Sequence, residues 1–289
     1  MIRRFTNEQG KLYELYKPTL TLGTRPHSPR GILFRDYYYD DTIKSFDEEL
    51  LKPIEQKFAA HYTEIADKPF RKNVWSSRAG AAFIGWVASH LCRTSLLVEM
   101  NKVLFGQISS LMALAYAKNP QLANNIVRSE MFNQYQDLLS RPQWKWKCRI
   151  FPSESKSNLV ITDNPVCCIL GLGNGRRVYM VPLSKKRILF GGLPEMVEKC
   201  GGLSVRYINL SLAAWAERHI YAADNHNLEN VAIDLRGEGN ITCPTVLLEA
   251  ARKPLFGLPE RAAANPVPNG IDLDKFCKSL KDSFGPSIL

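Results

Sequence analysis

The chain has 289 residues, 45% of them apolar, and a formal net charge of +10. That composition excludes global disorder and supplies enough apolar surface for one large domain or two small ones. The seven cysteines are irregularly spaced and contain no C-x-x-C pair, which argues against a disulfide framework or a zinc ribbon and for a reducing cytosol.

The start, "MIRRFTNEQG", has no apolar stretch behind its basic residues, so it does not read as a secretory signal. No run reaches the roughly 18 to 20 apolar residues that a membrane helix needs. The expectation is a cytoplasmic protein with no membrane partner. "GKLYELYKP" alternates Leu12, Glu14 and Tyr16 against Tyr13, Leu15 and Lys17, a short strand ended by Pro18. "TRPHSPRG" is a turn, and "ILFRDYYYDD" reads as a strand or an extended edge.

Three helical stretches follow. "SFDEELLKPIEQKFAAHYTEIAD" offers Ser45 as an N-cap with Glu48 three positions on, a capping-box pattern, and Leu50, Leu51, Ile54, Phe58 and Tyr62 recur at helical spacing. Pro53 allows a late helix start or a kink. A second helix spans about 74–101, with Trp75, Ala79, Ala82, Phe83, Trp86, Val87 and His90 on one face. A third covers about 102–140, with a break at Asn119-Pro120.

After Pro142 the apolar period falls to two. "WKWKCRIF" sets Trp144, Trp146, Cys148 and Ile150 against Lys145, Lys147 and Arg149. "NLVITDNPVCCIL", "RRVYMVPLS" and "KRILFGG" continue as strands, with Asn174-Gly175 suited to a tight hairpin turn. "LSVRYINLSLAAWAERHIYAAD" reads as one helix whose core stripe is Val205, Ile208, Leu212, Trp215 and Ala216. The expected fold class is α+β: a helical N-terminal part packed on a mainly antiparallel sheet, with a closing helix after the sheet. Residues 1–250 form the expected single domain, and 251–289 a proline-rich extension with a short helix.

Few motifs carry chemistry. "GLGNGR" lacks the full phosphate-loop spacing and reads better as a hairpin turn. "ESK" at 154–156 has the acid-x-Lys form of metal-dependent nucleases but no Pro-Asp partner upstream. The histidines His27, His61, His90, His219 and His226 show no metal-ligand spacing. Lys145, Lys147, Arg149, Arg176, Arg177, Lys185, Lys186 and Arg187 all fall on neighbouring strands. Paired, those strands would gather the charge on one face and edge, a surface for a polyanion through counterion release. Protection of an exposed strand edge explains the same lysines. The interrupting "TDNP", Thr162 to Pro165, is either a plain turn or a bulge that presents a hydroxyl and a carboxylate to a ligand.

The ordered set "RRFTNEQGKLYELYKP", "RDYYYD", "EELLKPIE", "FIGWVASHLCRTS", "ITDNPV", "VYMVPLSKKRILF" and "INLSLAAWAERHIYA" resembles the bacterial family catalogued as domain of unknown function 4238, over roughly residues 1–230. The resemblance gives the family's Ser/Thr-Asp-x-Pro signature to Thr162, Asp163, Asn164 and Pro165. It gives the helix arginine to Arg93, the late-helix asparagine to Asn209 and the first-helix glutamate to Glu55. Members typically open with a His-Tyr-x-Pro segment ahead of the "RRF" equivalent, and this chain begins at Met1 just short of it. If that histidine does chemistry, either this chain lacks it or the true start lies upstream.

The leading functional expectation is nucleic-acid binding, RNA first, with phosphodiester cleavage as its catalytic extension and phage defence as a fitting setting. Asp163, Thr162, Asn164, Arg93 and Glu55 are the candidate catalytic residues. Asp163, with Glu55 if near, would act as a general base or as the ligand of a divalent metal. The alternatives are a non-catalytic protein-interaction module and a small-molecule enzyme using the same polar turn.

Overall fold

The computed structural model describes residues 1–29, 52–67, 77–93, 120–153, 157–170 and 177–238. Ser45, the aromatic "ILFRDYYYDD", "ESK", Arg176, Asn174-Gly175 and the 251–289 extension lie outside those residues. The described elements in chain order are β1 (Tyr13–Tyr16), β2 (Thr21–Leu22), α1 (Lys52–Asp67), α2 (Arg78–Arg93) and α3 (Pro120–Ser140). Then come β3 (Lys145–Ile150), β4 (Ile161–Thr162), β5 (Cys167–Leu170), β6 (Arg177–Ser184) and β7 (Arg187–Gly192). They are followed by α4 (Pro194–Cys200), α5 (Val205–Trp215), β8 (His219–Ala222) and α6 (Asn225–Leu235). The fold is α+β, with two antiparallel four-stranded sheets ordered β2-β1-β8-β4 and β3-β7-β6-β5.

The backbone sorts into two compact units that interleave along the chain. One holds the described parts of 1–35, 59–83 and 139–251, and so both sheets; the other holds those of 36–58 and 84–138.

In the sheet-bearing unit, Val178, Met180, Val181, Ile188, Leu189 and Phe190 are sealed from solvent on the central strands β6 and β7. α4 covers one face of this sheet, where a Cβ on Gly192 would sit 3.5 Å from Val197. On the other face the Trp146 ring lies on the backbone of Gly191, with Phe83 edge-on to it at 4.9 Å. Tyr62, near the end of α1, donates its hydroxyl to the carbonyl of Leu183 on β6.

The β2-β1-β8-β4 sheet packs Leu15 and Ile220, paired across β1 and β8, into the core. α6 lies against β1, β2, β8 and α5, and α5 also meets β4 and β5. Both helices start on side-chain caps: Ser204 accepts from Tyr207 N at 3.1 Å, and Asp224 from Asn227 N at 2.9 Å. β1 turns into β2 through Leu20, which adopts φ 52°.

The expected helix over 203–224 is corrected. It ends at Trp215, and His219–Ala222 is a strand. Apolar residues run through both elements, so periodicity alone misses the change of structure. The stretch "NLVITDNPVCCIL" is not one strand with a bulge either. β4 is an edge of the first sheet and β5 an edge of the second, so Thr162–Pro165 carries the chain from one sheet to the other.

In the second unit, Phe58 stacks on Trp86 at 4.5 Å, and Trp86 meets His90 edge-on at 4.4 Å. Gly85 lets Ile54 approach, since an added Cβ would stand 3.5 Å from its Cγ2. Val127, Met131, Phe132 and Tyr135 are buried along α3.

Candidate functional site

The backbone N–H of Asp163 donates to the His219 carbonyl at 3.1 Å. Its carboxylate accepts from three consecutive backbone N–H groups: Glu217 at 2.9 Å, Arg218 at 2.6 Å and His219 at 2.8 Å. Charge-assisted bonds of this kind are the strong ones, and they commit most of the carboxylate's lone pairs. Thr162 closes the turn by donating its hydroxyl to Asn164 O at 2.6 Å. Asn164 donates its side-chain amide to Trp215 O at 3.4 Å, at the end of α5. The turn is therefore a clamp on the α5–β8 loop.

Asn209 ties the same helix to the strand side. Its side chain accepts from Val160 N at 3.0 Å and donates to Asn158 O at 2.8 Å. Thr162, Asp163, Asn164 and Asn209 thus come together around α5. Glu55, on α1, and Arg93, the last residue of α2, belong to the other unit, and the Arg93 side chain lies outside the described residues.

The basic residues are divided rather than gathered. In the register, Ile150 faces Arg187, so Arg187 shares the face of Trp146 and Cys148, opposite to Lys145, Lys147 and Arg149. Arg177 lies two positions before Tyr179, which pairs with Gly191 on that same Trp146 face. The strands alternate as expected, but the long-range β3–β7 register assigns β3 and the start of β7 opposite signs of the pleat. Many of these cations are also engaged. Lys147 pairs with Glu198 at 2.6 Å, and Arg149 donates to Leu203 O and lies 4.5 Å over Phe151. Lys185 reaches Thr6 O at 3.4 Å and Lys186 Ser157 O at 3.1 Å; Arg187 reaches Ala66 O and, at 3.4 Å, Asp67. Burial, then the neighbouring Lys185, holds the Lys186 ammonium below the usual lysine range. Lys145 is exposed.

A different set of titratable side chains converges on the sheet face that carries Glu14, Tyr16, His219 and Tyr221. The Glu14 side chain is 9% exposed. Its Oε1 stands 2.7 Å from His219 Nδ1 and its Oε2 3.2 Å from His27 Nε2. Nδ1 of His219 is sealed from solvent and lies close to the carboxylate without well-directed hydrogen-bond geometry. The His219 side chain is 20% and that of His27 29% exposed, so both rings present other atoms outward. Tyr16 flanks His219 at 5.4 Å and Tyr221 stacks beside it at 6.1 Å.

Three separate segments build this cluster. Glu14 comes from β1 and His219 opens β8, paired with Tyr16. His27 is brought in by a bridge to Leu12, with reciprocal backbone bonds of 2.9 and 2.6 Å. Sequence reasoning missed it because His27 and His219 are distant along the chain. The available signal was Glu14, a carboxylate inside a short apolar strand, which when buried demands a cationic partner.

Among the described residues no group of three or more His, Cys, Asp or Glu side chains is arranged to hold a metal ion, and no helix is long and apolar enough to cross a membrane. The described cysteines, Cys92, Cys148, Cys167, Cys168 and Cys200, are free thiols. Compared with protein-family models, with curated proteins and with solved structures, the chain finds no match.

Proposed function

We propose that this protein binds RNA at the β1–β8 corner of its sheet-bearing unit. The observation that carries the reading is an exposed tyrosine beside a partly exposed imidazole, with two exposed arginines close by in sequence. Tyr16 is 37% exposed beside His219, while Arg25 and Arg218 are exposed close in sequence to His27 and His219. Single-stranded nucleic acid is held by cationic side chains along its backbone and by rings on which bases stack. The net charge of +10 adds a long-range attraction for a polyanion.

The division of the strand lysines and arginines moves the proposed contact away from β3 and toward this corner. The test is the salt dependence of binding to a fluorescein-labelled single-stranded RNA. Affinity should fall steeply between about 50 and 200 mM salt, and the double variant Arg25→Ala/Arg218→Ala should lower the log–log slope by about 1.4. An affinity indifferent to salt, or a slope unchanged in the double variant, would overturn the reading and favour a protein-interaction module.

A further inference from the structure

We infer that His219 and His27 form an acid–base pair on Glu14 that cleaves the RNA backbone by attack of the ribose 2′-hydroxyl. This rests on the RNA reading above for its natural substrate. The chemistry asks for two proton carriers close together, one to take a proton and one to give it. Here both imidazoles stand on the two oxygens of one buried carboxylate, Oε1 at 2.7 Å and Oε2 at 3.2 Å. Each ring uses one nitrogen toward Glu14, leaving Nε2 of His219 and Nδ1 of His27 for substrate.

Glu14 is a positioning residue that fixes which ring nitrogen faces outward. Asp163 is a positioning residue one step further back, since it binds the backbone N–H of His219 itself at 2.8 Å. Tyr16 and Tyr221 flank the His219 ring, and the flanking segments also carry Lys11, Tyr13, Lys17, Arg25, Glu217 and Arg218.

The reaction needs no nucleophile from the protein. The neutral imidazole takes the 2′-hydroxyl proton as that oxygen bonds to phosphorus. The bond from phosphorus to the 5′-oxygen breaks, and the leaving oxygen takes the proton of the charged imidazole. The products are a 2′,3′-cyclic phosphate and a 5′-hydroxyl end, and the proton count on the pair is unchanged. Solvent exchange resets the two rings.

The experiment uses the full chain with two probes, a single-stranded RNA and the small phosphodiester 2-hydroxypropyl 4-nitrophenyl phosphate. Expected results are cyclic phosphate ends, no cut at a single 2′-deoxy position, and a rate that rises and then falls with pH. His219→Gln and His27→Gln should each slow cleavage about a hundredfold or more, and Glu14→Gln should displace the pH profile. Thermal melts establish that each variant is folded. His27 lies outside the named strands, so His27→Gln carries the test if the variants on β1 or β8 unfold.

Cleavage of the small diester without salt-dependent RNA binding would support the acid–base pair and overturn the RNA reading. Salt-dependent RNA binding with neither probe cut would overturn the pair and leave the binding reading standing. Equal rates in wild type and His27→Gln, or equal cutting at 2′-deoxy positions, would also overturn the pair.

Discussion

Replacing Asp163 by alanine removes the acceptor of three backbone N–H groups at once, at 2.9, 2.6 and 2.8 Å. A hydrogen bond to a charged partner contributes about 1.5–3 kcal/mol, so simple addition would overstate the loss. Glu217 and Arg218 are exposed, and water can take over their N–H groups; about 0.5–1 kcal/mol each is the share that does not return. The His219 N–H is partly buried at the start of a strand and should carry about 1.5–2 kcal/mol. The expected destabilisation is about 3 kcal/mol, or a Tm lower by roughly 6–12 °C in a cooperative unit of this size. Asp163→Asn keeps one acceptor oxygen but turns an amide donor toward N–H groups, so it should fall between wild type and alanine. Urea and thermal unfolding followed by circular dichroism measure both. An alanine variant within about 0.5 kcal/mol of wild type would mean that the clamp does not hold the loop.

Three further outcomes are expected. Asn209→Ala strands the Val160 N–H and the Asn158 carbonyl and should destabilise by about 2–3 kcal/mol, read from urea midpoints at constant m. Gly191→Ala would place a Cβ 2.4 Å from Trp146 Cζ3, so it should cost about 1–3 kcal/mol, and Trp146→Leu in the same chain should recover part of that. Burial holds the Tyr62 hydroxyl above the usual tyrosine range and pushes the Cys168 thiol up to about 12 and those of Cys148 and Cys200 to about 11. The unfolded chain releases these protons first, from about pH 8.5 for thiols and about 10 for tyrosine. Stability is therefore complete below those values and drains away as pH rises toward the folded ones, which a series of thermal melts from pH 7 to 11 would record. Tyr62→Phe should flatten the upper part of that decline while lowering stability at neutral pH through the lost bond to Leu183.

The readable parts of the sequence are those where one period governs. β3 alternates lysine out and Trp146 in, and α2 buries Ala79, Phe83 and Val87 on one stripe. The α5 stripe at Ile208, Leu212 and Trp215 is equally plain, yet its end is not. "WAERHIYA" contains no glycine or proline, so nothing local announces the strand. What stops the helix is Asp163, more than fifty residues upstream, and long-range hydrogen bonds leave no mark on a local period. Register is invisible for the same reason: one residue of offset between β3 and β7 decides whether Arg187 joins Lys147 or opposes it. The imidazole cluster depends on both, because His219 faces Glu14 only once β8 exists and pairs with β1.

The oddity of three polar residues and a proline inside an apolar run has a backbone explanation before it has a chemical one. A chain that leaves α5 and enters β8 within three residues exposes N–H groups that neither a helix nor a ladder can use. A carboxylate from the turn after β4 satisfies all three, and the proline behind it, ahead of β5, brings no donor of its own to satisfy. That assignment draws the acid away from proton transfer, since its oxygens point at peptide groups. It also gives His219 a backbone held by Asp163 and a ring that stands 2.7 Å from Glu14, two neighbours from different segments. An imidazole placed in this way is suited to proton transfer at a set position, and a merely solvated surface histidine has no need of either neighbour.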